Sequence, residues 1–451
     1  MTRIKPKSIT PALALIALGI LLFLCIKRWH AWFGNPIEPP YASSNIPARI
    51  QLGFGNDGPF SRSISWQCGD TAAASQLVIV RRATLDTTLV SAHATLLHTQ
   101  GGVTVSYRAE PTGLTGGIYT YSVRTGDRQS AWYDFTVSAD SCFRFVYLGD
   151  IQDVIGGGGK THNLLASINR RESDAAFWML GGDVVERPHD QYWNEYFTAM
   201  DSIAQTKAIV ACPGNHEYIK GISGKLEERF VHVFSYLADS RVNGHAVFDM
   251  RYGNTAIITL DSNCDTWKLY SQRSWFKQAL ERAKDAKWKI VLLHHPLYSV
   301  RGKMRHFFIR RMFDPLIREY GVDIVLQGHE HCYARMITKN KNNVPTRPLY
   351  LTSQFSPKDY RFYFDGKYDR FGNGLRFYQT LDVAADTLSL KTFTENAELY
   401  DDVRIVKTGN NLQLIDSATD IPEYFDPDMS RIHIKGAERE RFRKEMEERR
   451  R

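Results

Sequence analysis

Five short polar clusters, each directly after an apolar run of strand-like composition, constrain this 451-residue chain more than any other feature. FRFVYL leads into Gly149-Asp150-Ile151-Gln152, AAFWML into Gly181-Gly182-Asp183-Val184-Val185-Glu186-Arg187, and KAIVAC into Pro213-Gly214-Asn215-His216-Glu217. WKIVLL leads into His294-His295-Pro296-Leu297-Tyr298 and VDIVLQ into Gly328-His329-Glu330-His331. Apolar strands that alternate with amphipathic stretches such as HNLLASINRRE and RSWFKQALERAKDA predict an α/β fold with strands buried on both faces. Such folds place their sites outside the carboxyl ends of the strands, so the five clusters converge in space. Taken singly each is ordinary, since Gly-Asp makes turns and a lone His beside a strand is usually hydrogen-bonded structure. Five in succession are not.

The residue types at these ends are Asp, Asp, Asn and three His, an oxygen and imidazole set suited to first-row metal ions and not to a thiolate site. Two ions roughly 3.5–4 Å apart need one bridging carboxylate and several terminal ligands, and the count fits. The order GD, GD, GNHE, HHP, GHEH resembles the calcineurin-like metallophosphoesterases over residues 143–395. His294-x-Pro-x-Tyr298 and Gly328-His-Glu-His-Cys-Tyr-Ala-Arg335 are similar to the forms of the purple acid phosphatases.

The resemblance implies a metallophosphoesterase β-sandwich flanked by helices and a dinuclear centre of iron, manganese or zinc. It implies Asp150, Asp183 and His331 on the first metal, with Asp183 bridging, and Asn215, His294 and His329 completing the second. His216 falls where the family has a histidine that stabilises charge and protonates the leaving group, and His295 where a second substrate-contacting histidine is found. One departure stands out. Purple acid phosphatases carry a tyrosine three residues after the bridging aspartate, whose phenolate on ferric iron gives the colour; here that position is Glu186. Gln152 is the candidate replacement ligand, with Glu186 as the other candidate or as a partner of the ligands. The implied reaction is phosphomonoester hydrolysis by a metal-bound hydroxide, with a phosphodiesterase or nucleotide pyrophosphatase as the rival and a non-catalytic binding protein behind both.

Between residues 46 and 140, runs such as SISWQC, SQLVIVRR, GVTVSYRA, GIYTYSVRTG and WYDFTV alternate in polarity and are divided by turn residues. They predict an all-β sandwich, and SISWQC with TGLTGGIYTYSVRTG resembles the fibronectin-type-III-like amino-terminal domain of purple acid phosphatases. Residues 30–45, with three prolines, read as a spacer. Before them, Ile9 to Ile26 run without a charge between Arg3, Lys5 and Lys7 and Lys27 and Arg28. At 1.5 Å per residue this is roughly 27 Å, a transmembrane anchor with the amino terminus cytoplasmic and the catalytic body extracytoplasmic. A cleaved signal, and hence a secreted protein, is the alternative.

The net charge of +8 is concentrated at the ends: residues 36–436 carry 45 basic against 44 acidic side chains. A neutral body lacks the basic groove that nucleic acid requires, which leaves a small phosphoester and the membrane as partners and the oligomeric state open. Cys68, Cys142, Cys212, Cys264 and Cys332 show no zinc spacing and are odd in number, so one or two disulfides or buried thiols are expected. Gly156 to Thr161 imitates a phosphate-binding loop, but that motif requires glycine where Val154 stands; a glycine loop opening the next helix is the simpler reading. Residues 396–451 match no family pattern, and the closing AERERFRKEMEERRR reads as a mixed-charge helix or a solvated tail, the tail being preferred.

Overall fold

The structure is a computed structural model that describes residues 34–449 except 139, 154–158, 222, 223, 236–245, 410 and 433, together with scattered positions between 15 and 29. Most of the expected anchor and of the glycine loop lies outside the described residues. Among those described, no helix is long and apolar enough to cross a membrane.

The amino-terminal part is a sandwich of two antiparallel sheets. One contains, in spatial order, the strands Ala48–Gly55, Gly58–Gln67, Val103–Ala109 and His93–His98. The other has Thr87–Ser91, Ser75–Arg81, Gly117–Thr125 and Arg128–Gln129, with Tyr133–Val137 also on Gly117–Thr125. Cross-strand neighbours stack within each sheet: in the first, Trp66 on Tyr107 with ring centres 5.6 Å apart, and in the second, Tyr119 on Phe135 at 5.5 Å. The buried Trp66 Nε1 donates to Thr125 Oγ1 at 2.9 Å, so the ring is buried without an orphaned donor.

The remainder packs two seven-stranded mixed sheets face to face. In the first, Ala208–Ala211, Phe177–Leu180 and Phe143–Leu148 run parallel, followed by the hairpin Phe377–Val383 and Thr387–Thr394 and by Leu399–Thr408 and Asn411–Asp416. In the second, Thr255–Thr259, Trp288–Leu292, Ile324–Gln327 and Pro345–Thr352 run parallel, with Phe248–Tyr252 at one edge and Tyr333–Lys339 and Arg370–Gly372 at the other. Register decides where the polar clusters fall. Leu148 pairs with Leu180 and Leu180 with Ala211, while Leu292 pairs with Leu326, so each cluster leaves its strand at the same level. The two sheets are fixed to one another there, since Tyr147 Oη donates to the Gln327 carbonyl at 2.7 Å. Helices Gly159–Arg171, Asp190–Ala199, Thr266–Arg282 and Phe307–Glu319 flank the sheets.

Two expectations about the ends of the chain are corrected. The described part of the supposed spacer, residues 34–45, is packed down because Glu38, only 3% exposed, meets Arg229 at 2.8 Å and accepts from the backbone of Asp190 and Gly101. The closing segment is no solvated tail: Ala437–Arg449 is a helix that buries Phe442 and Met446. Its charges occupy the outer face, while two apolar residues four apart supply one buried stripe. Strands Leu399–Thr408 and Asn411–Asp416 are joined to the GHEH strand by Arg335, which pairs with Asp401 and Asp416 at 2.6 Å each. The five described cysteines are all unpaired, so no disulfide forms among them.

Candidate metal centre

Asp150 and Asp183 leave adjacent parallel strands through backbone with φ of 49° in both cases, and His329 and His331 follow the Ile324–Gln327 strand at 72° and 47°. Left-handed backbone costs a non-glycine residue on the order of 1–3 kcal/mol. Four expected ligands adopt it together, which turns their side chains into the gap between the sheets. The neighbouring glycines make room: a Cβ at Gly214 would lie 2.1 Å from Asp183 Oδ1, and one at Gly328 2.5 Å from Asp150 Oδ2.

Ligand atoms of Asp150, Asp183 and His331 all lie within 4.8 Å of one another, and so do those of Asp183, His294 and His329. Asp183 is common to both groups. His294 donates from Nδ1 to the Gly181 carbonyl at 2.8 Å, which turns Nε2 toward Asp183 Oδ2 at 3.2 Å and Asn215 Oδ1 at 3.3 Å. His329 Nδ1 is 3.2 Å from the same Nε2, and its backbone N–H donates to Asp150 Oδ2 at 2.7 Å. Asp150 Oδ1 is buried without a hydrogen-bond partner, a position that a cation would satisfy.

Burial pushes both carboxyls up, and for Asp150 it prevails; Asp183 is held well below the carboxylate range because His294 and His216 outweigh it. Burial drives the imidazoles of His329 and His331 well below their usual value, leaving them neutral, the form that ligates. At His294 burial is outweighed by Asp183 and Asp150, which push it up to about 10, so a cation would displace one proton from Asp150 and one from His294 on binding.

His216 Nδ1 donates to the Glu186 carbonyl, leaving Nε2 at 3.9 Å from Asp183 Oδ2. His295 is held by Ser262, whose Oγ is 3.0 Å from Nδ1, and its ring lies 4.3 Å from that of His329. Glu186 belongs to neither of the two ligand groups. Glu186 Oε2 pairs with Lys358 Nζ at 2.5 Å. Gln152, with its amide oriented to donate to the Val185 carbonyl, offers its oxygen to Lys358 at 3.2 Å.

Three residues at the site carried no legible role. Lys358 lies in a loop without periodicity. His306, 4.6 Å ring to ring from His295 and 5.2 Å from His329, lies beyond the HHP cluster at φ 55°. Glu217 stood in the quoted GNHE, but its work is structural: its buried carboxylate accepts from the N–H groups of Asp183, Val184 and Gly214 at 2.6–2.9 Å and so sets the bridging loop. Burial, with the nearby Asp183, pushes it up to about 8.

Residues 143–333 match the family model for calcineurin-like phosphoesterases. Purple acid phosphatase 18 of Arabidopsis thaliana is 28% identical over 244 residues, covering 51% of this chain and 54% of that protein. The chain thus spans about half the length of that relative. Purple acid phosphatase PPD1 from yellow lupin (Lupinus luteus) seeds superposes with a TM-score of 0.68 at 16% identity, over 81% of this chain and 75% of that one. The structure of PhoD gives 0.59 at 12% identity, over 91% and 99%. These two share the fold. The chain is similar over residues 143–333 to the calcineurin-like phosphoesterases. Within that class it is similar to the purple acid phosphatases.

Proposed function

We propose that this chain is a dinuclear-metal-dependent phosphoesterase that hydrolyses phosphomonoesters. Asp183 carries the reading, because it belongs to two ligand groups at once and so stands where a bridging carboxylate must. Asp150, Asp183 and His331 would hold the first ion, with Gln152 as a further candidate, and Asp183, Asn215, His294 and His329 the second. Bound ions would supply acidified water and neutralise the phosphoryl oxygens. The chain's own groups do the rest. His216, with Nδ1 tied to the Glu186 carbonyl, can give a proton from Nε2 to the departing alkoxide. His295, held by Ser262, faces the same space and orients the phosphoryl group.

The experiment is a panel of phosphomonoesters, diesters and nucleotides assayed with metal-quantified protein and its His216→Ala variant. Monoesters should be cleaved fastest. The variant should keep its metals, lose roughly 10²–10⁴-fold in rate, and lose less on nitrophenyl phosphate, whose leaving group needs little protonation. Faster cleavage of diesters or of pyrophosphate bonds would replace the reading with its rival, and inactivity of fully loaded protein would favour a binding role. We further read residues 46–140 as a fibronectin-type-III-like domain and residues 9–26 as an anchor that holds the enzyme on the outer side of a membrane, with a secreted form if the segment is cleaved.

A further inference from the structure

A cavity of roughly 470 Å³ opens beside the metal centre, reaching it at Asn215 and His216. Besides residues 218–229, which follow them, its walls come from three separate parts of the chain. The residues after the bridging aspartate contribute Glu186 to His189, the packed-down segment 35–38 contributes Glu38, and the amino-terminal sandwich contributes Leu97 to Gln100. The cavity therefore exists only because the sandwich is docked on the catalytic sheets. Its volume suits a small-molecule group, and it begins at the histidine that faces a leaving group.

The charges along it are not balanced by one another. Glu38 and Glu227 are both spent on the buried Arg229, at 2.8 and 3.0 Å, and Glu228 is spent on Lys225 at 2.7 Å. Glu186 is spent on Lys358, which does not line the cavity. Every carboxylate on the wall thus has a cation, whereas Arg187 and Lys220, also on the wall, have no carboxylate partner among the described residues. Arg187 is half-buried, one residue from Glu186 and therefore close to His216, and its fork can hold an anion in two-point contact. Lys220 stands at the exposed rim.

We propose that this cavity is the leaving-group subsite, and that it selects phosphomonoesters whose leaving group carries a second anionic group, a carboxylate or another phosphate, bound by Arg187 and Lys220. The inference rests on the phosphomonoesterase reading and narrows its substrate class. An apolar or uncharged alcohol would leave both cations unanswered in the cavity, whereas a second anion gains charge-assisted hydrogen bonds there.

The test compares matched pairs on metal-loaded protein: 3-phosphoglycerate against glycerol 3-phosphate for a carboxylate, and fructose 1,6-bisphosphate against fructose 6-phosphate for a phosphate. At least one pair should show a kcat/KM ratio of about tenfold or more in favour of the doubly anionic member, and the pair with the larger ratio names the anion. The Arg187→Gln, Lys220→Gln double variant should bring that ratio close to one while retaining the metal content of the unsubstituted protein. Ratios near one in both pairs, or a preference that survives the double variant, would overturn the proposal while leaving phosphomonoesterase activity in place. Absence of turnover on all four compounds would instead count against the phosphatase reading. Calorimetric binding of the same pairs then decides the subsite, which requires tighter binding of the doubly anionic members.

Discussion

Asp150, Asp183, His329 and His331 show how much of a metal centre is written in residue types and how little in their geometry. Their identities and order were legible, because each follows an apolar strand and is preceded by glycine within three residues. Their left-handed backbone was not, since nothing in Asp or His announces positive φ. The same limit hid Lys358. The missing tyrosine posed a choice between Gln152 and Glu186 as replacement ligand, yet a cation from a distant loop occupies both: it pairs with Glu186 and reaches the amide oxygen of Gln152. With Glu186 standing where the tyrosine would be and engaged by Lys358, iron-loaded protein should show no strong visible charge-transfer band. Absorption spectroscopy of protein reconstituted with ferric iron checks this; a purple product would mean that another tyrosine, such as Tyr360 beside His331, ligates the iron.

At the scale of elements, the strand ends were legible because continuous apolar runs bounded by glycine have few other uses, and register then aligned them. The docking of the closing helix was not. A segment with charges at most positions looks solvated unless its two apolar residues have something to cover, and what they cover is set by tertiary packing. Phe442 meets Phe362 edge-on at 5.4 Å, Glu445 pairs with Arg361 at 2.9 Å, and Asp359 accepts from the Asp428 N–H at 3.0 Å. The extension thereby holds the 356–362 loop, which brings Lys358 to Glu186 and sets the Tyr360 ring 4.5 Å from that of His331. Phe442→Ala should cost about 3–5 kcal/mol of stability, the usual range for a buried phenylalanine. Denaturant unfolding with metal analysis should show that loss together with a fall in activity larger than the fall in bound metal. A change under 1 kcal/mol would mean that the helix merely rests on the surface.

At the scale of the whole molecule, the amino-terminal sandwich was legible as an architecture, from alternation and turns, but its part in the site was not. That depends on docking: Tyr121 Oη donates to the Gln205 carbonyl at 2.8 Å, Ser63 and Ser235 hydroxyls meet at 2.6 Å, and Arg49 pairs with Asp190 at 2.7 Å. Such long-range contacts leave no local pattern in a sequence. The proposed anchor predicts that residues 46–451 are open to added protease in intact cells, and protection until lysis would place the body on the other side. The central claim, two ions sharing Asp183, is tested most directly by measuring phosphate release from a monoester while metal-free protein is titrated with metal. The account predicts that activity appears only as the second equivalent binds and that Asp183→Ala binds neither ion firmly. Full activity at one equivalent, or two tightly bound ions in Asp183→Ala, would contradict it.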